Sequence, residues 1–368
     1  MITEVDRGWM REALELAGRG SALASPNPVV GAVVVDAAGD KAGEGFHRYA
    51  EVAHAEALAL EQAGERAQGG TLYVTLEPCS HQGRTAPCVD AVIAAGVKRV
   101  VCPIEDESPK VSGAGFRRLR EAGVEVDIMD ELAGFARRLN EDFFHYAKTG
   151  LPLVTLKTAA TLDGKISAPD DNSGWITSEV ARRHVQTVRH RHDAILTGIG
   201  TVLEDDPLMT DRLGLPRRRP LLRIVVDSLC RISLESQLVM TAEGDVVIAT
   251  TSAAPAARRE ALEQHGVKVW VCDSPKGRVD LKSVIEAVGQ REMTSLMIEA
   301  GSKLNWAALD EGLVDKALIY YAPKILGGME SLPLAGGIGR RSRSGAIRLH
   351  DLSLEMVGPD EFCVEAYL

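Results

Sequence analysis

The stretch 54–88 reads His54-Ala55-Glu56, then an Ala- and Leu-rich run. It continues Thr71-Leu72-Tyr73-Val74-Thr75-Leu76-Glu77-Pro78-Cys79 and ends Ala86-Pro87-Cys88. One histidine and two cysteines are the ligand set of a zinc site whose fourth position stays open for water. A glutamate just past the histidine is placed to move protons without binding the metal. The His-x-Glu half and the Pro-Cys half of a zinc deaminase are both present, but eight residues separate Cys79 from Cys88, in place of the usual Cys-x-x-Cys. Two buried structural cysteines and a helix histidine would give the same letters, because Cys also packs as a small hydrophobe. His81, between the cysteines, is a rival ligand, and Arg84 in the same insertion suits an anionic group.

Working outward, Trp9, Met10, Ala13, Leu14, Leu16 and Ala17 recur at helical spacing. Ser25-Pro26-Asn27-Pro28 ends that region, since the residue before proline disfavours helix. Residues 29–35 form a β-branched run and read as a strand, with a second strand ending near residues 44–47. Residues 52–64 read as a helix with His54 and Glu56 in its first turn. Residues i and i+2 point apart in mid-helix, so the pair must converge near the helix start. A strand over 71–76, a helix over 89–95, a strand over 97–102, a helix over 116–122 and a strand over 124–128 continue the alternation. A helix over 132–146 closes it, giving a sheet covered by helices. Cys88 opens a helix, where the dipole stabilises a thiolate.

The chain has 368 residues, 45% of them hydrophobic and 26% charged, with a net charge of −10. This length favours two domains. The negative charge excludes a non-specific nucleic-acid binder, which needs a basic face. Residues 1–20 lack the apolar core of a signal peptide, and no run is long enough to span a bilayer. Six cysteines do not make a disulfide framework. Cys102, Cys230, Cys272 and Cys363 sit in apolar runs as buried thiols, and a cytoplasmic location is expected.

Residues 27–35 (Asn-Pro-Val-Val-Gly-Ala-Val-Val-Val), His54-Ala55-Glu56, Thr75-Leu76-Glu77-Pro78-Cys79-Ser80-His81 and the run from Gly83 to Cys88 together resemble the deaminase half of the bifunctional riboflavin biosynthesis proteins. The long Cys-x8-Cys insertion separates that family from cytidine and tRNA deaminases. The resemblance implies a zinc ion (Zn2+) held by His54, Cys79 and Cys88, with Glu56 as the proton shuttle. It further implies that Asn27, His47 and Arg84 contact the pyrimidine and its ribose phosphate.

After Thr149-Gly150-Leu151-Pro152, a linker, a second alternation begins. Strands are expected over 153–159, 194–197, 222–227, 245–250, 267–271, 295–299, 316–322 and 361–368. Helices are expected over 179–191, 256–265 and 281–290. No Gly-x-Gly-x-x-Gly follows the first strand, which argues against a Rossmann domain. Arg217-Arg218-Arg219 reads as a solvated run. The stretch from Lys157 to Lys165, Trp175-Ile176-Thr177-Ser178, the stretch from Gly200 to Pro207 and Glu299-Ala300-Gly301-Ser302 resemble the reductase half of the same family.

The resemblance thus covers nearly the whole chain. It implies an α/β architecture: a cytidine-deaminase-like three-layer domain over 1–148 and a dihydrofolate-reductase-like domain over 149–368. For the second domain it implies NADPH bound by Ala159, Trp175, Thr201, Asp205, Ser228, Gly301, Ser302, Lys303, Leu304, Asn305, Trp306 and Ala307. Lys157, Ser173, Arg189, Met209, Arg212 and Glu299 would contact substrate, and Met209 could equally fill a gap in the core. The implied activity is deamination of a pyrimidine ribose phosphate followed by NADPH reduction of its ribose. The partners expected are these small molecules, with no nucleic acid, no membrane and a homo-oligomeric chain. Two rivals stand beside this reading. One is a nucleotide or tRNA deaminase with a binding domain attached; the other is an interaction protein with a decayed site. Intact His54, Glu56, Cys79 and Cys88 oppose the second rival.

Overall fold

Residues 2–83, 86–108 and 113–368 are described by the computed structural model, in which the chain divides into two compact units. The first holds residues 1–150 together with Pro216–Arg219, and the second holds 151–215 and 220–368.

The first unit is a five-stranded sheet of β1 (Gly31–Val35), β2 (Lys41–Phe46), β3 (Thr71–Val74), β4 (Arg99–Cys102) and β5 (Glu125–Ile128), in the order β2-β1-β3-β4-β5. β1 runs antiparallel to both neighbours, while β3, β4 and β5 are parallel. Its helices are α1 (Glu4–Gly18), α2 (Ala55–Ala63), α3 (Cys88–Ala94), α4 (Ala114–Glu121), α5 (Ala133–Leu139) and α6 (Glu141–Thr149). The register explains the layering. Ala32 pairs with Gly45 and Val34 with Gly43, so these four share one face, and Gly31 looks to the other. A Cβ at Gly43 would stand 2.1 Å from the Ala59 carbonyl, so α2 presses on that face. A Cβ at Gly31 would stand 2.1 Å from the Ala13 carbonyl, so α1 covers the opposite one. Every residue of β1 is buried, as a strand sandwiched between two helical layers requires.

The helix expected over 132–146 is in fact α5 and α6, broken at Asn140. Asn140 is fully buried; its side chain accepts from Val29 N at 2.7 Å and donates to Val29 O at 3.0 Å. A bidentate clamp on the chain entering β1 outweighs helix continuity, and periodicity carries no trace of it.

The second unit is a nine-stranded sheet. Its strands are β6 (Leu153–Thr161), β8 (Ala194–Gly198), β9 (Leu222–Val226), β10 (Val246–Thr250), β11 (Lys268–Val271), β12 (Ser295–Ile298), β13 (Lys316–Ala322), β15 (His350–Met356) and β16 (Phe362–Tyr367). β7 (Lys165–Ser167) and β14 (Leu332–Pro333) form a separate ribbon. The order is β11-β10-β9-β8-β12-β6-β13-β16-β15, parallel through β13 and antiparallel beyond. The helices are α7 (Glu179–Arg191), α8 (Ile199–Asp205), α9 (Gln237–Met240), α10 (Ala256–Gln264), α11 (Leu281–Gly289) and α12 (Ser302–Asp310). Alternation along the strands builds two cores. Leu196, Ile298 and Val154 lie in one, and Ile195, Met297 and Val225 in the other. The short helices α8, α9 and α12 and the strands β7, β14 and β15 were absent from the sequence expectation. β15 escapes a burial-based reading because it is an edge strand whose Leu352, Leu354 and Met356 are exposed.

Candidate active sites

The first site forms where β3 gives way to the loop carrying Cys79 and where α2 and α3 begin. His54 is the N-cap of α2, with extended backbone (φ −79°, ψ 162°). The requirement that His54 and Glu56 converge is met simply, because the histidine stands outside the helix and mid-helix geometry does not apply to it. Pro87 caps α3, and Cys88 is its first residue. His54 Nδ1 lies 3.1 Å from Cys88 Sγ and 3.6 Å from Cys79 Sγ, and the Cys88 amide donates to Cys79 Sγ at 3.3 Å. Among the described residues, these three form the one His/Cys/Asp/Glu group whose ligand atoms all lie within 4.8 Å of one another. The rival, His81, is exposed and outside the cluster.

Charge at the cluster is set by its geometry. The Cys88 thiol and amide and the His54 ring lower the Cys79 pKa to about 4 against the opposing effect of burial, which makes Cys79 the thiolate. Cys88 is correspondingly pushed up by sharing its proton with Cys79 and by burial. Its bond to Cys79 raises the His54 pKa. Burial drives the Glu56 carboxyl up to about 7, partly opposed by His54. A thiolate, a second thiol and an imidazole converging at this range suit a zinc ion, which would displace the shared proton, so the donor set fits. A buried carboxyl poised near neutrality suits a proton carrier.

Asn27 and His47 stand together beside the cluster. Asn27 Nδ2 is 3.0 Å from His47 Nε2, and the His47 and His54 rings meet edge to face at 5.2 Å. The other His47 ring nitrogen lies 3.0 Å from the Ala53 carbonyl. Arg84, expected to hold a phosphate, lies outside the described residues. Arg218, read as solvated, instead places its guanidinium 3.5 Å from the Tyr49 ring centroid within the first unit.

Glu77 was quoted within the motif but given no role. Its buried carboxylate accepts from the backbone N–H groups of Asp106, Gly113, Gly115 and Phe116, at 2.7–3.2 Å. It thereby fixes the start of α4 against the Pro78–Cys79 turn, so tightly that a Cβ at Gly115 would stand 2.1 Å from the Pro78 carbonyl. The sequence signal was a carboxylate with no cation near it and glycines at a helix start.

The second site is a cleft of about 3340 Å³ at the C-terminal ends of the parallel strands of the second unit. Glu299, one residue past β12, takes Lys157 Nζ at 2.7 Å on one oxygen and Arg189 at 2.8 and 3.0 Å on the other. Burial alone would raise its pKa, but the two cations hold it at about 2. Arg189 also donates to Thr210 O at 3.1 Å, Gln186 accepts from Arg212 N at 3.1 Å, and His190 meets Asp211 at 2.5 Å. α7 therefore fixes the segment carrying Met209 and Arg212. Met209 both lines the cleft and is buried in the core, so its two readings are compatible. Ser173 lines the cleft as well.

Ala159, Trp175, Thr201, Asp205, Ser228, Gly301, Ser302, Lys303, Leu304, Trp306 and Ala307 all line this cleft. Asn305 does not: it is fully buried and donates to Leu334 O at 2.8 Å, because its position on α12 faces inward. Trp175 is 68% exposed at the rim, with Arg182 over its ring. The N-terminus of α12 opens on the cleft after Gly301 with no side-chain cap, a cradle that fits a dinucleotide phosphate.

Comparison with known proteins agrees with this division. Residues 3–104 match the family described as cytidine and deoxycytidylate deaminase zinc-binding region, and residues 152–362 match the RibD C-terminal domain. The chain is 41% identical to the riboflavin biosynthesis protein RibD of Aquifex aeolicus, over 98% of each chain. It is 40% identical to that of Escherichia coli, over 96% of this chain and 97% of the other. Among solved structures, Acinetobacter baumannii RibD superimposes with a TM-score of 0.83 at 35% identity over 99% of both chains. A Thermotoga maritima diaminohydroxyphosphoribosylaminopyrimidine deaminase/5-amino-6-(5-phosphoribosylamino)uracil reductase gives 0.82 at 34% identity, over 99% of this chain and 98% of the other.

Proposed function

Because the chain belongs to the RibD family of bifunctional riboflavin biosynthesis deaminase–reductases, we propose that its first unit deaminates diaminohydroxyphosphoribosylaminopyrimidine with zinc and its second reduces the ribosyl group of the resulting 5-amino-6-(5-phosphoribosylamino)uracil with NADPH. The observation that carries this reading is the convergence of His54, Cys79 and Cys88 beside the buried Glu56. Zinc, when bound, supplies a Lewis acid that makes water nucleophilic at neutral pH. Glu56 takes a first proton from the attacking water to the ring nitrogen and then a second, from the hydroxyl so formed, to the amine, which leaves as ammonia. Asn27 and His47, hydrogen-bonded to each other, orient the pyrimidine, and Arg84 binds its phosphate.

In the second unit NADPH, when bound, supplies the hydride that opens the sugar to a ribityl chain. The chain's own residues position the two reactants. The uncapped start of α12 holds the cofactor phosphates, and Lys157, Glu299 and Arg189 form a charged shelf for the sugar phosphate. Asn305 supports the cofactor loop from beneath rather than touching the cofactor. No helix among the described residues is long and apolar enough to cross a membrane.

The test is a pair of assays on Cys79→Ser. With the undeaminated pyrimidine the variant should consume NADPH about 5- to 150-fold more slowly than with the deaminated uracil, for which it should keep the wild-type rate. The first result requires the reductase site to reject an amine where it binds a carbonyl, a mismatch worth about 1–3 kcal/mol per buried group. NADPH oxidation as fast with the undeaminated substrate as with the uracil would reverse the proposed order of reactions.

A further inference from the structure

We propose that Thr197 is a substrate-binding and specificity-determining residue of the reductase cleft, donating or accepting a hydrogen bond through its hydroxyl to a neutral polar group of the sugar–pyrimidine substrate. The proposal rests on the reductase reading above. Thr197 is 1% exposed, yet its Oγ1 has no hydrogen-bond partner, and the residue lines the cleft. A buried hydroxyl left unpaired is costly, and natural proteins keep few of them outside sites that await a ligand.

The strand register shows which ligand it awaits. Ile298 of β12 pairs with Leu156 of β6 and with Leu196 of β8. One residue further along each strand, Lys157, Glu299 and Thr197 therefore form a row across three adjacent strands, and the bond from Glu299 N to Leu196 O carries the ladder to that point. Thr197 lies on the face of Ile195, whose core includes Met297 and Met209 and against which Val188 of α7 packs. Gly198, next in sequence, looks to the other face, where a Cβ would meet Leu304 of α12 at 3.3 Å. The hydroxyl thus shares its side with Lys157, Glu299 and Arg189, and α12, the helix proposed to hold the cofactor phosphates, is on the opposite one. Lys157 and Glu299 satisfy each other at 2.7 Å; Thr197 is the member of the row with capacity to spare. Because it is neutral, it suits a ribose hydroxyl or a ring carbonyl better than a phosphate.

Thr197→Val removes the hydroxyl and keeps the shape; Thr197→Ser keeps the hydroxyl. With the deaminated uracil substrate, Thr197→Val should lower reductase kcat/KM by about 10- to 100-fold, and Thr197→Ser should recover it to within a few-fold. The dissociation constant for NADPH should not move. The Tm of the ligand-free Thr197→Val protein should equal or exceed that of wild type, since an unpaired buried hydroxyl has been removed. A kcat/KM within twofold of wild type would overturn the proposal, as would a loss that appears in NADPH binding. A marked fall in Tm, or failure to fold, would also overturn it, by showing that the hydroxyl is bonded within the fold. Wild-type protein that oxidises no NADPH would count against the reductase reading itself, and the Tm comparison would still judge the hydroxyl.

Discussion

In the first unit, the three converging His and Cys donor atoms and the buried Glu56 come from residues 54–88, at the start of two helices and one turn. In the second, the charged centre of the cleft joins Lys157, Arg189 and Glu299, drawn from β6, α7 and the end of β12. One site is written in a single stretch; the other exists only once a parallel sheet has assembled. The two differ in electrostatics as well. Among the described residues no Lys or Arg is bonded to Glu56, and burial raises it to about 7 against the opposing charge of His54, whereas Glu299 is only partly buried and is held at about 2 by two cations. A carboxyl left to burial is poised to exchange a proton near neutral pH, and one clamped by Lys and Arg stays a fixed charge.

The largest expected effect tests the first half of that contrast. Glu56→Gln keeps size and hydrogen bonding but cannot take the proton, so deaminase turnover should fall by about 10²- to 10⁴-fold. Zinc content by elemental analysis should be unchanged. Turnover within a few-fold of wild type would remove Glu56 from the chemistry and erase the distinction between the two carboxylates.

The second prediction concerns the fixed charge. Glu299→Gln leaves Lys157 and Arg189 without their anion and should destabilise the second unit at neutral pH by up to about 3–5 kcal/mol. Because the folded-state pKa of Glu299 lies below its ordinary value of 4.5, its stabilising contribution is complete above about pH 4.5. It is lost as pH falls toward 2 and the carboxylate protonates. The stability gap between wild type and variant, followed by denaturant unfolding, should therefore close over that window. A gap that stays constant down to pH 2 would mean that shape, rather than charge, holds the centre.

The smallest effect sharpens the point about distant parts. Ser178 caps α7, the helix that carries Arg189, and also bonds Glu361 just before β16. Ser178→Ala should cost about 0.5–2 kcal/mol of stability. It should also raise the KM of the reductase more than it lowers kcat, with no change in deamination. Equal losses in both activities would show that the cap supports the whole chain rather than the cleft.

Much of this organisation was legible in the sequence because it depends on local rules. α7 and β13 fall where periodicity put them, since a helix stripe and a buried β-run are written residue by residue. The convergence of His54, Cys79 and Cys88 was legible because a metal site restricts residue type and the segments joining them are short. Tertiary structure decided the rest. Asn140 breaks a periodic helix because its amide is committed to Val29, more than a hundred positions away. Asn305 sits among cleft-lining residues in sequence but faces Leu334 in space. Glu77 is an anonymous acid until four backbone amides surround it, and Thr197 is an ordinary strand threonine until register sets it beside Glu299. Such roles arise from pairings between distant segments, and a linear chain specifies those pairings only through the energy of the whole fold.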